Sequence, residues 1–216
     1  MERGGEAGGT VASAIPRHGV ASILCNIVLA GFFSIFVYAQ LTRPGPWDWV
    51  RYFPIVMQVS VTMTLFLTRR PSLATSSSVL EWIIGIAGTL LPMLMSPAPS
   101  PGALTWLGAP LQAFGLALST ASLLSIGRSI AIVPANRGIR TGGAYRVVRH
   151  PIYAAYALTF VGFVMCEPTL RNAAVGVTTL LLLAVRAVFE ERFLMREPQY
   201  RAYAEGVRWR MLPGIF

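Results

Sequence analysis

The chain has 216 residues, 54% of them apolar and only 12% charged, with a formal net charge of +9. That charged share is about half of what soluble domains carry, which excludes a soluble fold in favour of one integral membrane domain. All 18 basic residues are arginine and sit mostly at the ends of apolar runs, a placement that fits membrane topology and anionic-lipid contact better than nucleic-acid binding.

Residues 1–17 are polar and glycine-rich and read as a disordered cytoplasmic tail rather than a cleavable signal. The first apolar run, Val20–Leu41, reaches the roughly 20 residues that span a bilayer core. It stops at Arg43-Pro44-Gly45-Pro46, and Trp47 and Trp49 follow where interfacial aromatics belong. A second, shorter run covers Tyr52–Leu67 and ends at Arg69-Arg70-Pro71. The Ser-rich link Thr75–Ser78 leads to a third, Val79–Met95, and the Pro-rich, uncharged stretch Ser96–Gly102 turns the chain into a fourth, Leu104–Ile126.

The arginine-rich connection Gly127–Pro151 is too polar for lipid. Two closing spans, Ile152–Cys166 and Asn172–Phe189, meet at Glu167-Pro168. Both are short for a core of about 30 Å and are expected to tilt. From Glu190 onwards Leu194, Tyr200, Tyr203, Val207 and Trp209 stand among arginines, a mix that suits a helix lying at the interface. The expected fold is an all-α integral membrane protein of about six transmembrane helices. It divides into the tail 1–17, a four-span region 18–126 and a C-terminal core 127–216.

Arginine placement orients the molecule. One side collects Arg3, Arg17, Arg69, Arg70, Arg128, Arg137, Arg140, Arg146, Arg149 and the tail from Arg192 to Arg210; the other holds Arg43, Arg51 and Arg171. Six spans with both termini cytoplasmic satisfy the positive-inside rule. The exclusive use of arginine fits a high-GC bacterial genome and hence a bacterial inner membrane. Cys25 and Cys166 fall towards opposite leaflets and read as packed small hydrophobes.

The residues able to do chemistry cluster in the last third. In Arg149-His150-Pro151 the proline fixes its own φ and suits the first turn of a helix. His150 is therefore expected beside free backbone N–H groups and a positive helix end, which suits a carboxylate; the alternative is a histidine that merely marks the headgroup level. Tyr145 and Tyr153 flank this corner, and Gly142-Gly143 permits a close backbone approach. Helical spacing lets Arg186 meet one of Glu190-Glu191, either as part of a site or as an ion pair capping the last span. No phosphate-binding glycine loop, serine-nucleophile elbow or metal-spaced ligand cluster occurs, and His18 and His150 are the only histidines.

From Leu116 to Pro213 the chain resembles the isoprenylcysteine carboxyl methyltransferase family, with related bacterial and phospholipid methyltransferases. The resemblance rests on Gly127-Arg128-Ser129, Ile139-Arg140-Thr141-Gly142-Gly143-Ala144-Tyr145, Arg149-His150-Pro151-Ile152-Tyr153, Glu190-Glu191-Arg192-Phe193-Leu194, Tyr200-Arg201-Ala202-Tyr203 and Arg210-Met211-Leu212-Pro213. Three positions depart from the family pattern. Ala144 replaces a proline, Ala155 a glycine, and Arg196-Glu197-Pro198-Gln199 stands where Phe-Gly precedes the tyrosine pair.

The resemblance implies a cytosolic pocket for S-adenosylmethionine built by the last spans and the tail. Cofactor contacts are implied at Ile139, Gly143, Tyr145, His150, Pro151 and Glu190, and catalytic roles at Arg186 and Glu191, with Tyr153 and Arg149 touching the substrate. No metal is expected. The implied activity moves a methyl group to a carboxylate or thiol of a lipophilic or prenylated substrate. The alternatives are N-methylation of a phospholipid amine and a non-catalytic membrane protein that retains the fold. Membrane lipids are the expected surroundings, and nucleic acid is not an expected partner.

Overall fold

The computed structural model describes residues 20–42 and 49–214. The expected tail 1–17, the Arg43–Pro46 stop, Trp47 and the side chains of Cys25, Trp49 and Arg51 lie outside the described residues. Helices occupy all six apolar runs: α1 (Val20–Leu41), α2 (Trp49–Thr68), α3 (Val79–Leu90), α4 (Thr105–Ile126), α5 (Pro151–Cys166) and α6 (Leu170–Leu194), with a short α7 (Pro198–Gly206) in the tail. Two stretches, Thr105–Ser129 and Leu170–Leu194, are long and apolar enough to cross a membrane. The apolar stretches Asn26–Tyr38, Met57–Thr68, Val79–Leu94 and Pro151–Cys166 are shorter.

Local chemistry sets the helix limits. Ser78 caps α3 by accepting from the Glu81 N–H, with Glu81 in the first turn of the same Ser-x-x-Glu pattern. Pro92 then tightens the end of that helix into a 3-10 turn over Leu91–Leu94. Gly127, at φ +52°, closes α4 in a conformation that favours glycine. Pro151 stands at the first position of α5, and Thr169 caps α6 through the Asn172 N–H. The sixth helix is longer than expected. It runs 25 residues, about 38 Å at the usual rise, because no breaker follows Phe189 and Glu190 to Leu194 are mostly good helix formers.

The tightest helix pair is α4 against α5. A Cβ built at Gly115 would stand 2.5 Å from Thr159 Oγ1, and one at Gly162 would stand 2.6 Å from the Gln112 nitrogen. Small residues let the two backbones meet at these heights, as in other close membrane-type crossings. At the end of the bundle holding the α5–α6 link, Asn172 is fully buried. Its amide donates to the Ser96 and Glu167 carbonyls and accepts from the Ser96 N–H, while Glu167 Oε2 accepts from the Ala98 N–H at 2.8 Å.

At the opposite end the α2–α3 loop is laced to the α4–α5 connection. A two-residue antiparallel ribbon pairs β1 (Ala74–Thr75) with β2 (Ala135–Asn136), Ala74 opposite Asn136 and Thr75 opposite Ala135. The Arg70 N–H donates to the Arg128 carbonyl at 2.7 Å, and the Arg137 guanidinium donates to the Arg70 carbonyl. Ile130, Ile132 and Val133 in the connection are buried with Phe33, Phe66 and Leu123. The arginine-rich connection thus anchors itself by an apolar strip between its arginines.

Candidate functional site

Beneath this laced end the helices enclose a cavity of about 380 Å³, within the usual ~300–1,000 Å³ range for small-molecule sites. Its polar end is made by the connection, the start of α5, the last turns of α6 and α7. Its other walls are apolar side chains of α1 to α5, including Phe33, Phe66, Leu116, Phe160 and Phe163.

Arg186 is the central cation of the polar end. It is buried on α6; its Nε donates to Glu190 Oε1 at 3.0 Å and its Nη2 to the Ala131 carbonyl at 2.8 Å. A longer contact, 3.4 Å, joins Nη1 to Thr89 Oγ1 on α3. The guanidinium carbon lies 5.3 Å from the centre of the Tyr153 ring, within cation–π range. The Tyr153 hydroxyl donates to the same Glu190 oxygen at 2.5 Å. Arg186, Glu190 and Tyr153 therefore form one joined group, and all three line the cavity.

Glu191 faces elsewhere. Its Oε1 accepts from Arg149 Nε at 2.7 Å and lies 3.2 Å from His150 Nε2, and its Oε2 accepts from Arg210 Nε at 2.7 Å. Of the two glutamates that helical spacing lets Arg186 meet, it pairs with Glu190, the i+4 residue. Glu191 is buried in a cage of two arginines and a histidine that ties α6 to the start of α5 and to the tail.

The start of α5 is also less open than expected. The His150 N–H donates to the Arg210 carbonyl at 2.7 Å, and the Arg149 N–H donates to the Trp209 carbonyl at 2.9 Å. The tail after α7 runs across the corner as a strap, and Met211 beyond it packs with Tyr153, Leu183 and Ala187. Arg149 reaches the cavity wall, yet its guanidinium also serves the strap through the Val207 and Arg208 carbonyls. The His150 ring stacks parallel on Tyr153, 5.4 Å between centres and 3° between planes.

Ile139, Tyr145, His150 and Glu190, read as cofactor contacts from the sequence, all line the polar end; Pro151 and Gly143 do not. Pro151 is fully buried as the first residue of α5. Gly143, at φ +61°, sits where a Cβ would collide with Ser125 Oγ, so its glycine serves packing against α4. The backbone beside the cavity is supplied by Gly138, at φ +94°, a glycine the sequence pattern does not mark. Tyr200 and Tyr203 complete the wall, and the Tyr203 hydroxyl donates to the Tyr145 carbonyl at 2.6 Å. Burial pushes the Tyr203 hydroxyl up to about 12, with Glu191 adding to the shift and Arg149 opposing it. Burial and then Glu190 raise Tyr145 well above its ordinary value. Both hydroxyls are neutral donors at physiological pH. The Tyr145 hydroxyl feels the Glu190 carboxylate, and the polar end sets this anion and the Arg186 cation among neutral hydrogen-bonding groups.

Several lining residues carry no motif: Gln58 and Thr62 on α2, Gln112 on α4, and Tyr156 and Thr159 on α5. The signal that could have found them is a polar side chain placed inside an otherwise apolar run. Among the described residues no group of acidic, histidine and cysteine side chains could hold a metal.

The family model described as phospholipid methyltransferase matches residues 103–201, which hold α4, the connection, α5, α6 and the start of α7. No curated protein matches the chain.

Proposed function

We propose, from the premise that residues 103–201 belong to the phospholipid methyltransferase family, that this membrane methyltransferase uses S-adenosylmethionine at the polar end of its cavity. The acceptor is a carboxylate or thiol of a hydrophobic molecule lying along the apolar walls. The observation that carries this reading is the continuity of the cavity, from a wall bearing Glu190, Tyr145 and Tyr203 into a lining of aromatic and aliphatic side chains. These residues fit a cationic, amphipathic donor, with the carboxylate for its positive charge and the hydroxyls for its polar groups.

When bound, S-adenosylmethionine supplies a methyl group already activated on a sulfonium. Arg186 holds the acceptor carboxylate in line, and the apolar walls exclude water. With the donor bound, these residues would hold the acceptor's nucleophilic atom towards that methyl group, opposite the sulfur. A thiol or amine acceptor must also lose a proton, and Glu190 takes it. In this proposal the reacting carboxylate is Glu190, since Glu191 is enclosed by Arg149, His150 and Arg210. Glu191 and Arg149 then act by fixing the strap and the His150 ring, and Ile139, Tyr145 and His150 contact the cofactor. The matched family's description favours a second acceptor, a phospholipid amine. The protein lies in the bacterial inner membrane, with six spans and the polar end cytoplasmic.

The test is incubation of purified protein with methyl-labelled S-adenosylmethionine and native lipid extract, followed by mass spectrometry. Label is expected in the lipid phase, base-labile if the product is a methyl ester and base-stable if it is an N-methyl group. Absence of labelled lipid, together with absence of S-adenosylhomocysteine binding by folded protein, would overturn the reading.

A further inference from the structure

The middle of the cavity carries a band of hydrogen-bonding groups that the methyl-transfer chemistry does not use. Tyr156 and Thr159 follow Tyr153 along α5 at three-residue steps, which places them about 5 and 9 Å further along the cavity. Gln112 stands about one turn beyond Thr159, since α4 and α5 meet through Gly115 against Thr159 and Gly162 against Gln112, which places it about 14 Å along from Tyr153. Gln58 faces them from α2, beside Tyr156. All four line the cavity.

Their bonding is incomplete. Thr159 Oγ1 donates to the Ala155 carbonyl, which leaves its oxygen free to accept. Gln112, half-buried, makes no side-chain hydrogen bond among the described residues while facing the cavity. A primary amide in an apolar lining is costly unless a partner arrives. A purely hydrocarbon chain would leave it unpaired, and would be disfavoured for that reason.

We infer that this band is a specificity site for an acceptor bearing an oxygen function (hydroxyl, ester or amide) in its chain, about 9–14 Å from the group that is methylated. Gln112 donates to and accepts from that oxygen, and Thr159 accepts where the oxygen carries a hydrogen. The inference rests on the proposed reading only for placing the acceptor's head at Arg186.

The probes are hexadecanoic acid and its isomers hydroxylated on the sixth or the twelfth carbon. They are titrated into the full chain in nanodiscs, with and without S-adenosylhomocysteine, and read by tryptophan fluorescence. The hydroxyl on the twelfth carbon falls at Gln112 when the carboxylate sits at Arg186, and that acid is expected to bind about tenfold more tightly than the unsubstituted one. The sixth-carbon isomer, whose hydroxyl falls short of Thr159 and Gln112, should show no such gain. In Gln112→Leu, shown to elute and melt as folded protein, the preference should vanish while the unsubstituted acid binds as well or better. Equal affinity of the three acids, failure of all three to bind, or a preference that survives both Gln112→Leu and Gln58→Leu would overturn the inference. If S-adenosylhomocysteine does not bind and the preference persists, the methyl-transfer reading falls and the band stands.

Discussion

Glu190 and Glu191 are neighbours in sequence with different surroundings, because one residue along a helix is about 100° of rotation. Glu190 turns into the cavity towards Arg186 and Tyr153, whereas Glu191 turns towards Arg149, His150 and Arg210. Removing each charge should therefore have separable effects. Glu190→Gln is expected to lower turnover at least tenfold, with the melting temperature in detergent held within a few degrees, because the amide still accepts from Tyr153 and Arg186. Glu191→Gln leaves the largely enclosed Arg149 guanidinium beside a neutral amide, and breaking a well-buried pair costs about 3 kcal/mol. It should lower the melting temperature markedly and weaken cofactor binding through the loosened strap. Scanning fluorimetry and a labelled-methyl assay on both variants decide the matter, and equal melting temperatures would contradict the division of roles.

The existence of the helices was legible, because most of the apolar runs are bounded by arginine, proline or glycine; the end of α6 was not, since no such residue follows Phe189. What could not be read is the rotation of α6 about its axis. Spacing alone allowed Arg186 to meet either glutamate, and only packing against α3 and α5 selects Glu190. The strap after α7 was illegible for a similar reason, since its backbone bonds to Arg149 and His150 carry no side-chain signature. The small residues of α4 and α5 marked no motif either, yet they set how closely the two helices approach. Gly162→Ala would bring a methyl group to 2.6 Å from the Gln112 nitrogen and the Gly108 oxygen, both main-chain atoms that cannot swing aside. Overpacking of this kind costs about 1–3 kcal/mol, so folded yield and melting temperature should both fall. Gly31→Ala on α1, where nothing stands within 4 Å, is the matched control and should be neutral or slightly stabilising, since alanine is the better helix former. A similar loss in both variants would show that the α4–α5 approach is not the cause.

For the whole molecule, the polar end of the cavity and the arginines lie together. Arg69, Arg70, Arg128, Arg137, Arg140 and Arg146 surround the laced loops, and Arg192 to Arg210 follow in the last turns of α6 and in the tail. The opposite end, with the 95–102 loop and the α5–α6 link, carries Arg171 and the buried Glu167. Arginine retained on one side of a membrane marks that side as cytoplasmic, and on the proposed function the methyl donor enters there. The proposed six-span topology puts Ser100 outside and Gly206 inside. Both positions are exposed, and a Cβ added at Gly206 meets nothing within 4 Å, so a cysteine at either site can react without disturbing the fold. In a background with Cys25 and Cys166 replaced, Ser100→Cys should label with a membrane-impermeant maleimide from the outer face of intact cells. Gly206→Cys should label only after the inner face is opened. Labelling of both from one face would require an even number of crossings between them and would break the topology. It would also separate that failure from any defect in the site, because Gly206 and the polar end of the cavity are joined through α7 whichever way the bundle is inserted.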